Sequence, residues 1–294
     1  MNSTAITIVT CSYGPDAGRC RRLCQSVDRF VPADIEHCVI VPRRDYPLFS
    51  DLHRGRRRVY ITEEVVPGNF HHLPVARKLW LGPGAWPVRG WIMQQVTKLS
   101  ANYVADTELL MFADSDLELI RPLDKELICR GGELRLHRIP GAKSTGDHLQ
   151  WHRRAALLLG QQPRYFGSDY VGQLITWRRS NLEGLQAHLE AVNGMPWYRP
   201  VARSLKFSEY ILYGAYVEHV LGKAHNGHFY CAEEICHCCW EPADAAKLGN
   251  GTAVVNSRAQ AILLQSNLGL QAEQEAALLA RARHYTNPIV SNGT

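Results

Sequence analysis

Thr107-Glu-Leu-Leu-Met-Phe-Ala113, followed at once by Asp114-Ser115-Asp116, decides how this chain is read. Leu109 to Ala113 is a continuous apolar run bounded by polar residues. That pattern predicts a strand covered on both faces, as in the parallel sheets of α/β proteins. The two carboxylates come one residue apart where the strand ends. There the chain leaves the pleat, and both side chains can turn toward one point.

The segments before this run agree with it. Ala5–Thr10 is β-branched, then Cys11-Ser-Tyr-Gly-Pro-Asp16 turns. Arg19–Phe30 places Leu23, Val27 and Phe30 at helical spacing, and 35–42 and 56–62 read as further strands. Residues 67–87 are rich in Gly, Pro, His and Trp and read as loop, and 90–104 as helix. This β-α-β opening predicts an α/β domain with a mixed, mostly parallel central sheet. Downstream, 133–139 alternates like a strand, 172–177 and 232–240 are further strand candidates, and 181–192 and 208–221 have helical periodicity. Residues 253–283 are Ala- and Gln-rich and are expected to be largely helical. No linker separates autonomous domains. The expected organisation is one domain, with two halves over 1–125 and 126–245 and a C-terminal helical extension over 246–294.

Composition narrows the function classes. The chain has 294 residues, 46% apolar and 21% charged, enough for a sizeable core and unlike a disordered chain. Its net charge of +5 suits an anionic ligand such as a nucleotide diphosphate. It suits peripheral contact with acidic lipid equally well, and with no nucleic-acid motif beside it, it does not point to nucleic acid. The opening residues lack a secretory signal, and no apolar run approaches the ~20 residues of a membrane span, so a cytoplasmic protein is expected. Nine cysteines at irregular spacing make no disulfide framework. Cys231-x4-Cys236-His237-Cys238-Cys239 is one crowded patch rather than the two separated pairs of a structural zinc site, and buried thiols on a strand are expected there.

Asp114-Ser115-Asp116 carries the chemistry. Hard divalent cations take oxygen ligands, and ligands bind beyond the carboxyl ends of strands in open α/β sheets. Two carboxylates at such an end suit a metal that neutralises charge on a phosphate group. The plainer alternative is a pair of solvated turn carboxylates, since the motif is short.

The ordered set of motifs resembles the GT-A nucleotide-diphospho-sugar glycosyltransferases, with a Rossmann-like fold, and within them the bacterial DUF6492 family. The residues that carry the resemblance are Ile8-Val-Thr-Cys-Ser-Tyr13, Gly90-Trp-x3-Gln-x2-Lys98, Met111-Phe-Ala-Asp-Ser-Asp116 with Arg121-Pro122, 171–177, Ser208-Glu-Tyr-x2-Tyr-Gly214 and Cys236-His-Cys-Cys-Trp240. The resemblance implies a sugar transferase that uses a nucleotide-diphosphate sugar and Mn²⁺ or Mg²⁺, with a glycan, lipid-linked or small-molecule acceptor. It implies that Thr10, Ser12 and Tyr13 line the base and ribose pocket, and that Gln95, Lys98 and Ser115 face the donor. It also implies Asp116 as principal metal ligand, Asp114 on the ribose or the metal, and His237 as a third ligand from a late segment, with His228 as fallback. Glu209, behind a Ser208 cap at a helix start, is the expected base, and Asp169 its competitor or an acceptor-holding group. Against each role stands a structural one: a polar turn, a solvated lysine, a helix-start carboxylate or a packed histidine.

Three other readings compete. A haloacid-dehalogenase phosphatase also carries Asp-x-Asp at a strand end, but normally has Thr or Val where this chain has Glu118. A nucleotidyltransferase opens with a Gly-rich basic loop, which Cys11-Ser-Tyr-Gly-Pro-Asp16 lacks. An inactive nucleotide-binding protein on the same fold is the third.

Overall fold

The computed structural model describes residues 5–73, 76–82 and 87–286. In chain order the main elements are β1 (Ile6–Cys11), α1 (Ala17–Phe30), β2 (Glu36–Val41), β3 (Arg57–Ile61), α2 (Gly90–Lys98), β4 (Leu109–Phe112), β5 (Leu117–Leu119) and β6 (Glu133–His137). They continue with α3 (Gly146–Leu158), β7 (Ile175–Arg178), α4 (Arg179–Asn193), α5 (Glu209–Tyr216), β8 (His228–Cys231), β9 (Cys236–Cys239), α6 (Pro242–Asn250), β10 (Ala261–Leu264) and α7 (Ala272–Thr286). The central sheet runs β7-β4-β1-β2-β3. Its β4, β1, β2 and β3 are parallel, and β7 is an antiparallel edge. This is the mixed, mostly parallel α/β sheet expected from the opening segments.

Strand alternation explains why the apolar runs are continuous. Ile6 and Ile8 of β1 and Leu109 and Met111 of β4 join the core that takes Leu23 and Val27 of α1. Val9, Leu110 and Phe112 face the opposite way, into the core with Ile92, Met93 and Val96 of α2 and Ile211 and Leu212 of α5. Both faces of the sheet are covered, so apolar residues dominate the strands and the polar ones among them, such as Thr10 and His37, are buried and hydrogen-bonded. Trp177 of β7 is fully buried and stacks on Tyr213 at 4.6 Å between centroids. Behind it, α5 comes so close to Tyr170 that a Cβ on Gly214 would stand 2.4 Å from the ring. Tyr170 is itself buried and has nowhere to swing. Gly214→Ala should therefore cost about 1–3 kcal/mol, measured as a lower urea midpoint with an unchanged slope; an unchanged midpoint would show that α5 can retreat.

Three expectations need correction. Within 67–87, read as loop, His71–Leu73 and Ala76–Leu81 form an antiparallel hairpin; residues 74–75 and 83–86 lie outside the described residues. The periodic segment 208–221 is α-helical only to Tyr216 and widens into a π-turn over Val217–Leu221. The expected helical extension is interrupted: β10 pairs in parallel with β9 and antiparallel with β5. Ala261-Ile-Leu-Leu264 has no local preference strong enough to resist two open strand edges, so tertiary context sets its state. The last helix, α7, is tied back to α1. Buried Glu275 accepts from Arg19 Nε at 2.9 Å and also pairs with Arg22, and Arg283 of α7 pairs with Glu118 of β5. Among the described residues no helix is long and apolar enough to cross a membrane.

Candidate active site

The β1–β4 ladder ends where Ala113 N donates to Val9 O at 3.1 Å, and Leu117 N then closes a turn onto Asp114 O at 3.1 Å. Asp114, Ser115 and Asp116 thus occupy the bend between a central strand and the small sheet of β5, β10 and β9. Lys98, at the C-terminal end of α2, reaches the same point. Its Nζ lies 2.8 Å from Asp114 Oδ1 and 3.0 Å from Glu209 Oε1, and donates to the Tyr210 hydroxyl at 2.8 Å. The ammonium thus stands between two carboxylates and donates to one hydroxyl. Burial pulls the Lys98 pKa down, but Asp114, Tyr210 and Glu209 outweigh it and hold the pKa well above the usual lysine value. Asp114 mirrors this. Burial raises its pKa, Lys98 and the Gln173 amide lower it more, and the net is a depressed carboxyl. Gln173 Nε2 donates to Asp114 Oδ2 at 2.7 Å, so both oxygens are engaged.

Glu209 is placed by its backbone as well as by Lys98. Its N–H donates to Gln95 Oε1 at 3.1 Å. The expected Ser208 cap is not made; Ser208 sits at the N-cap with no side-chain hydrogen bond. The cap comes instead from α2, one turn before Lys98, so Gln95 and Lys98 act as a pair that positions the start of α5.

Asp116 is in a different state. Its Oδ2 accepts from Ser266 N at 2.9 Å, just past β10. Burial raises its pKa most, Asp114 and Asp16 add to this, and it reaches about 7. Among the described residues no cation contributes to that balance, whereas Asp16 has Arg19 at 3.0 Å and Asp114 has Lys98. A carboxyl protonated in the native state up to about 7, against 3.8 in the unfolded chain, loses stability as pH rises through that window. Asp116→Asn should therefore be more stable than the parent above pH 7, by about 1–3 kcal/mol after allowing for partial access to water. The gain should vanish near pH 4. Equal stability curves at pH 8 would refute it.

The remaining expected residues divide. Tyr13 is 43% exposed, close enough for Asp16 and Asp116 to raise its pKa alongside burial. Ser115 is buried in the bend, and Ser12 is buried against the Cys20 thiol. Thr10 points into the sheet's α1 side, where its hydroxyl meets His37 Nε2 at 3.0 Å; His37 Nδ1 accepts from Arg57 Nε at 3.1 Å. Burial, then Arg57, pushes His37 down to about 3, so the ring is neutral and donates through Nε2. Asp169 belongs to a neighbouring group: its Oδ1 stands 3.1 Å from His148 Nδ1 and accepts from Tyr170 N at 3.1 Å. Four residues on, Gln173 joins the Lys98 centre.

His237, the expected third ligand, lies on β9. Its register partner is Ile262 of β10, which faces α6 and α7. Its pKa is lowered by burial, with Asp244 opposing, and neither site aspartate is felt. His228, the fallback, is buried between Leu134 O and the Tyr213 hydroxyl, at 2.9 Å from each. Among the described residues no three His, Cys, Asp or Glu side chains stand together as a metal group. The residues missed in the sequence are Tyr210, Gln173, Asp16, Ser266 and Cys11. Cys11 is buried beside Lys98, Asp114 and Glu209, and its thiol is pushed up to about 12, chiefly by burial. Strand alternation from Val9 was the one signal that pointed to it.

A family model described as a family of unknown function, DUF6492, matches residues 4–260. No curated protein matches. Among solved structures, an active-site mutant of LgtC is 12% identical with a TM-score of 0.47, covering 93% of this chain and 95% of that one. The galactosyltransferase LgtC in complex with donor and acceptor sugar analogs is 12% identical with a TM-score of 0.44 and the same coverage. At these values the two carry no inference about this chain's chemistry.

Proposed function

The chain belongs to the DUF6492 family, and from that premise and the geometry around Lys98 we propose that it is a glycosyltransferase of the GT-A kind. It moves a sugar from a nucleotide-diphosphate donor to a hydroxyl of a glycan, a lipid-linked saccharide or a small molecule. The observation that carries this reading is the Lys98 ammonium joining Asp114, at the end of a central parallel strand, to Glu209, at the start of α5. A carboxylate at the sheet's open edge and a buried carboxylate facing it are what a donor-binding side and an acceptor side require.

In this reading the donor lies over the carboxyl ends of β1 and β4. Half-exposed Tyr13 meets the base or ribose, and Ser115 and Ser12 line the bend. Asp116 would hold a divalent cation, Mn²⁺ or Mg²⁺, because among the described residues it is the site carboxylate without a cation of its own. Such an ion neutralises charge on the departing diphosphate. Lys98 and Gln95 hold Glu209 in place. As the acceptor oxygen bonds to the anomeric carbon, the bond from that carbon to the diphosphate breaks. The hydroxyl proton passes to Glu209, and the nucleoside diphosphate leaves. Asp169, oriented by His148, holds an acceptor hydroxyl.

Calorimetric titration with a panel of nucleoside diphosphates tests this. Binding with Mn²⁺ should exceed binding in excess chelator by at least about tenfold, or 1.4 kcal/mol. Equal affinity in both would refute the metal, and no binding of any nucleoside diphosphate would refute the transferase reading.

A further inference from the structure

On the flank of the molecule, α3 and the loop that leads to α5 enclose a groove of about 820 Å³. Arg153, Arg154 and Leu157 line it from the helix, and Arg203, Leu205 and Lys206 from the loop. Among the described residues Arg153, Arg154 and Lys206 line it beside the carboxylate of Asp147, which Lys206 pairs at 2.7 Å. Leu205 is 77% exposed and Leu157 is 48% exposed. The loop is braced: Arg89, at the start of α2, donates to Leu205 O. Arg154 donates to Ser204 Oγ at 2.7 Å and to Pro200 O at 3.1 Å, which fixes the side chain without cancelling its charge.

We propose that this groove seats the protein on an anionic phospholipid surface. The cations meet headgroup phosphates, and Leu205 and Leu157 enter the boundary of the acyl chains. Basic side chains around projecting leucines are the composition of an interfacial element, in which electrostatic attraction and apolar burial add. Among the described residues the lining holds no aromatic side chain, so it offers a single-stranded nucleic acid no stacking platform. The charge argues against a neutral membrane. The inference does not depend on the donor chemistry.

Co-sedimentation of the full chain with vesicles tests it. Vesicles of phosphatidylcholine with phosphatidylglycerol should bind at least about tenfold more protein than phosphatidylcholine alone, and the difference should collapse in 1 M salt, where the Debye length is about 3 Å. Arg153 is exposed, and Arg153→Glu should lower partition about 25-fold, from about fivefold per unit of charge over two units. Leu205→Ser should lower it several-fold while leaving the salt dependence unchanged. Both variants should keep the parent's melting temperature and nucleotide titration. Absence of binding to acidic vesicles, equal binding to neutral ones, or parent-like binding by Arg153→Glu would overturn the proposal. So would release from vesicles by millimolar inorganic phosphate at constant ionic strength, which would make the groove a phosphate site, or concentration-dependent dimerisation that masks it.

Discussion

Lys98→Ala should destabilise the protein by about 3–5 kcal/mol at pH 7, because it leaves a buried carboxylate, Glu209, and a part-buried one, Asp114, without their shared cation. Among the described residues Asp114 retains Gln173, and Glu209 its backbone bond to Gln95. Lys98→Met, which keeps most of the stem's packing, separates lost charge from lost volume and should recover at most about 1 kcal/mol. The pH dependence has a definite sign. Lys98 holds the Asp114 pKa below 3.8, so the stabilisation is fully present above 3.8 and is lost as pH falls through the lowered native value. The gap between parent and variant should therefore narrow in acid. Urea titrations at pH 7 and pH 3.5 measure both quantities. A loss below about 1 kcal/mol at pH 7 would mean that water reaches the pair and that the node is an ordinary surface bridge.

Glu209→Gln should reduce turnover by roughly a hundredfold or more while donor affinity changes little. The substitution keeps the shape, the bond to Lys98 through the amide oxygen, and a good helix former at the start of α5. It removes the group that accepts a proton. The measurement is transfer to an acceptor, with the product's anomeric configuration read by NMR. A retained anomeric centre would remove the need for a base at this position. Near-normal turnover would leave Glu209 the role of holding Lys98. Loss of donor affinity equal to the loss of turnover would move it to the donor side.

Much of the scaffold follows from short-range pattern. The Leu109–Ala113 run had to be a strand covered on both faces, and Asp114-Ser115-Asp116 had to fall at its open end. Periodicity placed α1, β2 and β3 to within a few residues of their observed bounds, because each is set by its own side chains. Lys98, Glu209 and Asp114 were each marked out as candidates, with no sign that one hydrogen-bonded node holds all three.

What local pattern did not reach are the contacts made when distant segments close on one another. Gln95 caps a helix 114 residues away, Gln173 reaches Asp114 across 59, and Ser266 reaches Asp116 across 150. An amide side chain carries no sign of which backbone it will meet. The strand Ala261–Leu264 was hidden in a helix-forming composition, and two open strand edges decided its state. The face of His237 was decided by where β9 docks, which turns the ring toward α6 and α7. The sequence by itself determined the layered α/β scaffold and the position of the acidic bend, since burial on both faces of a strand is written into consecutive residues. Only the tertiary structure decided which carboxylate is paired, which is left near neutrality and which amide caps which helix, because those depend on charges and hydrogen-bond partners that become neighbours only after the chain has folded.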